Sequence, residues 1–152
     1  MQYWLMKSEA DVYSIDQLAA DGSTLWDGVR NYQARNNMKQ MKVGDLVLYY
    51  HSRQNPSAVV GLARVVREAY PDPTQFDPEH KYFDEKSSRE EPRWELVDIE
   101  FVRRFEHPVT LHEVKAEAAL ADMVLVNNSR LSVQPVRPDE FERVLKMAGE
   151  TL

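Results

Sequence analysis

The run Leu46-Val47-Leu48-Tyr49-Tyr50-His51, the polar break Asn55-Pro56-Ser57 and the run Ala58 to Arg67 together decide the fold class. Aliphatic and tyrosine residues without strict alternation describe a largely buried strand, and the second run is equally rich in valine. Two such runs joined by a short polar connection predict an antiparallel hairpin.

Working outward, Gly44-Asp45 reads as a turn, and the segment before it as a helix from Tyr32 to Met41. Ala34, Met38 and Met41 fall at helical spacing and can pack inward, while Arg35, Lys39 and Lys42 repeat that spacing one residue on as a basic stripe. At the amino terminus, Gln2 to Met6 fits a short strand. Ser14 then opens a helix with the spacing of a capping box to Gln17, and Gly22 ends it. Beyond the hairpin, the segment from about 70 to 93 holds Pro71, Pro73, Pro78 and Pro92 among many charges, and reads as an irregular excursion rather than a second domain. Trp94 to Phe105 returns as a strand. A short helix after Thr110, a strand near Leu131 to Gln134 and a helix from Pro138 to Met147 complete the chain. Several antiparallel strands with short helices between them predict an α+β fold, a small mixed barrel in one domain over residues 1–152.

Composition narrows the function. With 43% hydrophobic residues, 152 residues can bury one sizeable core. The absence of cysteine removes disulfides and thiolate chemistry. No stretch approaches the roughly 18 apolar residues of a membrane span, and Met1 to Met6 lacks the pattern of a signal peptide. A cytoplasmic protein without membrane contact is the expectation. The net charge of -6 argues against bulk electrostatic binding of long nucleic acid. Between Gly28 and Val43, however, Arg30, Arg35, Lys39 and Lys42 occur without one acidic residue, so a local basic patch is compatible with the composition.

The segment Trp26-Asp27-Gly28-Val29-Arg30-Asn31-Tyr32-Gln33-Ala34-Arg35-Asn36-Asn37 gathers an aromatic, a flexible glycine, two arginines and several amides, a set suited to a flat polar ligand. Together with Tyr3-Trp4-Leu5-Met6-Lys7-Ser8-Glu9, Tyr50-His51-Ser52, Tyr70-Pro71-Asp72-Pro73, Lys81-Tyr82-Phe83-Asp84 and Ser129-Arg130-Leu131-Ser132-Val133-Gln134-Pro135, it closely resembles the EVE domain family over nearly the whole chain. The resemblance implies a PUA-like fold, a small β-barrel with peripheral helices related to the YTH and ASCH domains, and recognition of modified bases in DNA or RNA. Ala10 stands where the family commonly has proline after Lys-Ser-Glu, a change of turn stiffness more than of chemistry. The basic amino-terminal extension of the family's nuclear members has no counterpart before Met1, which weakens the expectation of nuclear targeting.

Extruding a base costs a few kcal/mol of lost stacking and pairing, which a pocket must offset by aromatic stacking and hydrogen bonds to the base edge. Stacking on one aromatic contributes about 1 to 3 kcal/mol. Trp26, Trp94 and Tyr50 are the candidate walls; Ser8, Asn31 and Ser52 the candidate neutral donors and acceptors; Asp27 the candidate acceptor for an exocyclic amine such as cytosine's. Read in isolation, Trp94 and Tyr50 serve equally well as core aromatics, and each serine or asparagine as a cap or turn residue. Lys7, Arg30, Arg35 and Arg130 are candidates for flanking phosphates, while Lys39 and Lys42 read better as a solvated face. The expected partner is therefore DNA or RNA carrying a modified, cytosine-derived base, single-stranded or with that base flipped. An alanine at position 26 is expected to abolish selective binding and leave the fold intact.

His51 raises an enzymatic alternative, a small hydrolase acting on RNA or a modified nucleoside, with Asp27 and Lys7 as conceivable acid-base partners. A third reading is a protein-interaction adaptor using the acidic excursion. No phosphate-binding glycine loop or nucleophile elbow occurs, and His51, His80, His107 and His112 lack zinc spacing, so no catalytic residue, metal or cofactor is assigned.

Overall fold

The computed structural model describes residues 1–152. Six strands, β1 (Tyr3–Glu9), β2 (Ser23–Leu25), β3 (Leu46–Ser52), β4 (Ala58–Pro71), β5 (Glu95–Thr110) and β6 (Val133–Val136), are joined by five helices. These are α1 (Ile15–Asp21), α2 (Tyr32–Gln40), α3 (Leu111–Ala116), α4 (Val124–Asn127) and α5 (Pro138–Met147). The sheet order is β2-β5-β4-β3-β1-β6. Every pair is antiparallel except β1 with β3. No helix is long and apolar enough to cross a membrane.

The central hairpin is β3 with β4, in register from Leu46 against Arg64 to His51 against Ala58, with a shift between Tyr49 and Tyr50. Its lack of alternation has a simple cause: side chains point to both faces in turn, and both faces are covered. Trp4, Met6, Val47, Tyr49, Val65, Val97 and Ile99 meet Ile15 and Leu18 of α1 and Ala34 and Met38 of α2 in one core. Leu5, Leu48, Tyr50, Leu62 and Phe105 meet Val114, Met123, Phe141 and Val144 in the other.

Local signals account for the helices. Ser14 accepts from the Gln17 amide at 3.0 Å, but the Gln17 side chain donates to Asp21 instead of returning to the cap, so the expected capping box is one-sided. A reciprocal box does form at α3, between Thr110 and Glu113. The three-residue β2, the four-residue α4 and the 3₁₀ turns Pro73–Phe76 and Ala118–Leu120 were not foreseen. All are too short for periodicity to show. β4 and β5 also run longer than expected, to Pro71 and Thr110, and the last strand starts at Val133 rather than near Leu131.

The excursion after β4 is tied at its root by Gln75, which is fully buried. Its amide nitrogen donates to the Asp72 and Trp94 carbonyls at 2.8 and 2.7 Å, and its oxygen accepts from the Arg93 and Trp94 amides at 3.1 and 3.0 Å. Both ends of a long insertion are thus held by one side chain.

Gly61 marks a second close approach. A Cβ there would lie 2.5 Å from the Arg103 carbonyl and 3.1 Å from Ile15. Gly61→Ala is expected to destabilise the fold by about 1–3 kcal/mol through overpacking. A urea denaturation midpoint equal to that of the parent would show that the β4–β5 irregularity relaxes freely and would refute this account.

Candidate functional site

Because β1 and β3 are adjacent and parallel, paired Lys7 to Tyr50, Ser8 to His51 and Glu9 to Ser52, their carboxyl ends finish together. The loops leaving them open a cleft of about 1010 Å³. Lys7, Ser8 and Glu9 come from β1, Tyr50 and Ser52 from β3, and Arg53 from the turn that follows. Trp26 to Arg30 forms one wall with Tyr82 of the excursion; Ser129, Arg130 and Ser132, between α4 and β6, also line the cleft. A smaller pocket of about 240 Å³ shares Ser8, Trp26, Asp27 and Tyr82 and is completed by Tyr13, Leu25 and His80, among others.

The wall around Trp26 is built by Arg30. A guanidinium has five N–H donors. Nε and Nη2 donate to the Tyr82 carbonyl at 3.2 and 2.7 Å, Nη2 also to Thr74 Oγ1 at 3.1 Å, and Nη1 to the Val29 carbonyl and Asp72 at 3.0 and 3.1 Å. The Asp72 carboxylate, wholly buried, also accepts from the Gly28 amide at 2.8 Å and from the Thr74 amide and hydroxyl at 2.8 and 2.6 Å. Burial alone would raise the Asp72 pKa. The hydrogen bonds from Thr74, Gly28 and Arg30 outweigh it and hold the carboxyl below its usual range. Gly28 has φ +83°, and a Cβ on it would lie 2.3 Å from the Tyr82 ring, so glycine there admits both the turn and the seat of the ring.

The sequence-derived candidates separate on this frame. Lys7, Ser8, Trp26, Asp27, Tyr50, Ser52, Arg30 and Arg130 line the cleft. Asn31, His51, Trp94 and Arg35 do not. Asn31 caps α2, accepting from the Ala34 amide at 2.9 Å. His51 Nε2 accepts from the Ile15 amide at 3.1 Å, and the ring sits edge-on to Tyr49. Burial lowers its pKa, so the neutral ring that this bond requires is favoured, and the side chain does not face Asp27 or Lys7 across the cleft. Trp94 is 7% exposed, stacks on Tyr32 at 4.7 Å and donates its indole N–H to Asp84 at 2.7 Å. Arg35 lies over Tyr32 and donates to the Arg93 carbonyl and to Asn36.

Two expectations change with burial and hydrogen bonding. Trp26 is 8% exposed and packs edge-on against Tyr49 at 5.5 Å, so replacing it by alanine is expected to cost about 3–5 kcal/mol of stability rather than to leave the fold unaffected. Arg30 has every donor engaged within the chain, which leaves none for a phosphate. Sequence reasoning missed Tyr82, Glu9 and Arg53; the first lies in the excursion, and no periodic signal ties it to Gly28.

Electrostatically the cleft departs from the acidic chain, with Lys7, Arg30, Arg53 and Arg130 against Glu9 and Asp27. The Lys7 ammonium lies 5.6 Å from the Tyr50 ring centre and donates to the Ser129 carbonyl; burial lowers its pKa. Asp27 sits at the lip with its carboxyl held above the usual range, first by partial burial and then by the Asp72 charge. No three of the histidines, aspartates and glutamates gather as a metal site.

Residues 2–147 match the EVE domain family. This chain belongs to the EVE domain family. Chicken thymocyte nuclear protein 1 is 40% identical over 97% of this chain and 69% of its own length. A hypothetical protein from Leishmania major has a solved structure that superposes with a TM-score of 0.95, at 49% identity over 98% of this chain and 95% of that one. The human THYN1 protein, solved in complex with 5-methylcytosine-containing DNA, superposes with a TM-score of 0.94 at 38% identity over 100% of both chains. The α+β, PUA-like arrangement expected of an EVE domain, with peripheral short helices, is the fold observed, its β-structure being one six-stranded, mostly antiparallel sheet. The cytoplasmic location expected from the sequence is corrected: the chicken relative is named a nuclear protein.

Arg30→Lys retains a cation for Asp72 but loses the planar fork, and is expected to destabilise the EVE domain by about 1–3 kcal/mol. Hydrogen exchange should quicken first between Asp72 and Asp84. Uniform exchange across the chain, with an unchanged denaturation midpoint, would exclude Arg30 as the tie between the two loops.

Proposed function

We propose that this chain is a nonenzymatic nucleic-acid-binding module that receives a modified cytosine, flipped from its stack, against the Trp26–Asp27 wall of the cleft. The observation that carries this reading is the pairing of that wall with a cation-rich cleft, in a fold that superposes on human THYN1, a protein solved with 5-methylcytosine-containing DNA. Trp26, Tyr50 and Tyr82 supply aromatic surface, and Ser8 and Ser52 neutral hydrogen-bonding groups. Asp27 reads the amino edge of cytosine: ionised, it accepts from the exocyclic amine; protonated, it can also donate to the ring nitrogen beside that amine. A methyl at the 5-position leaves that edge unchanged and adds apolar surface, which the aromatic walls favour.

DNA is the favoured partner because of that relative, and matched RNA strands test the alternative. The hydrolase reading loses its proposed base, since His51 is bonded to Ile15 and does not line the cleft.

The test is equilibrium binding to oligonucleotides carrying cytosine, 5-methylcytosine or 5-hydroxymethylcytosine, as DNA and as RNA, single- and double-stranded, at one fixed salt concentration. Preference for a modified DNA strand is expected, and Asp27→Asn should lower affinity for the cytosine and 5-methylcytosine strands alike by roughly ten- to a hundred-fold, corresponding to about 1–3 kcal/mol for one base-edge contact. Equal affinity of the parent protein for all strands would overturn the proposal.

A further inference from the structure

Two of the four arginine or lysine side chains that the sequence offers to flanking phosphates are otherwise occupied. Arg30 has all five donors engaged, and Arg35 lies outside the cleft with its guanidinium directed to Arg93 and Asn36. Three cations of the cleft retain free donors. Lys7 gives one N–H to the Ser129 carbonyl and keeps two. Arg53, with a side chain 85% exposed, is held only by Glu9, through Nε at 3.2 Å. Arg130 is exposed on the turn between α4 and β6 and joins no ion pair within the chain. Ser52, Ser129 and Ser132 lie among them on the same lining and add hydroxyl donors. Arginine forks and hydroxyls without fixed partners, concentrated in one cleft of a chain of net charge -6, are the chemistry that recognises phosphate.

We propose that Lys7, Arg53 and Arg130 form the track for the nucleic-acid backbone phosphates, and that Glu9 occupies Arg53 in the free protein as an internal competitor for that phosphate. The inference rests on the cleft being the nucleic-acid site. Arg53 has φ +54° at the end of β3, a conformation rare for a side chain other than glycine or asparagine, and it sets the guanidinium beside Glu9. On binding, a phosphate takes over the guanidinium and the Glu9 carboxylate returns to water.

The experiment is the salt dependence of affinity for cytosine and 5-methylcytosine DNA strands, measured for the parent, Arg53→Ala, Arg130→Ala and Glu9→Gln, with Arg35→Ala as the comparison. Each of the first two substitutions should lower the magnitude of the slope of log K against log salt by about one. Both should weaken the two strands equally, leaving their ratio unchanged. Glu9→Gln should strengthen both strands at low salt, and Arg35→Ala should leave the slope as in the parent. A selective parent whose slope is indifferent to Arg53 and Arg130 would overturn the track while leaving base reading intact. A parent that binds every strand equally, with slopes that fall as stated, would overturn base reading and keep the track. Absence of any binding would overturn both.

Discussion

One guanidinium organises the site. Arg30 reaches the carboxylate of Asp72, 42 residues away, and the carbonyl of Tyr82, 52 residues away, and ties both to the loop that carries Trp26 and Asp27. The charge pair alone would be a weak reason for this, because desolvating two ions offsets much of their attraction. The fan of neutral acceptors changes the balance. Each remaining donor meets an oxygen, and the buried carboxylate is fully hydrogen-bonded by Gly28 and Thr74 as well. The excursion therefore forms a wall of the cleft, with Tyr82 seated where any side chain at position 28 would intrude.

The cleft's position follows from the sheet. Burial of both faces makes β1 and β3 apolar along most of their length, and in these two strands polar side chains appear where the strands run out. The parallel pairing of β1 and β3 brings two such ends to one place, Lys7 to Glu9 beside Tyr50 to Ser52. In an otherwise antiparallel sheet this is the one edge where two adjacent strands deliver their last residues side by side in the same direction. The cation surplus gathered there shows why net charge misleads for this chain: the acids that set it are distributed over the excursion, the helices and the sheet margins, and the cleft holds few of them.

The EVE domain match runs over residues 2–147, and the human relative superposes on the whole of this chain, so the arrangement of strands and loops that builds the cleft belongs to the family fold. The division of labour among its arginines is a property of three-dimensional bonding. Arg30 and Arg130 are the same residue type and both line the cleft, yet one is saturated by the protein and the other is free to meet a ligand.

Much of the fold was legible in the chain. The hairpin, α2, α5 and the site segment around Trp26 were each carried by spacing or local chemistry within about ten residues, the range over which periodicity and caps act. Ser8, Ser52, Asp27 and Arg130 are candidates from the same motifs, and the structure places all four on the lining of the cleft. Asn31, His51, Trp94 and Arg35 belong to those motifs too, yet they serve a cap, a backbone amide, an aromatic stack and a carbonyl. The sequence by itself determined where the longer strands and helices lie, though not the short β2 and α4, and which stretches carry polar and aromatic chemistry. Only the tertiary structure decided which of those side chains face the cleft with donors to spare, because a hydrogen-bonding group is consumed or left free by partners that lie tens of residues away.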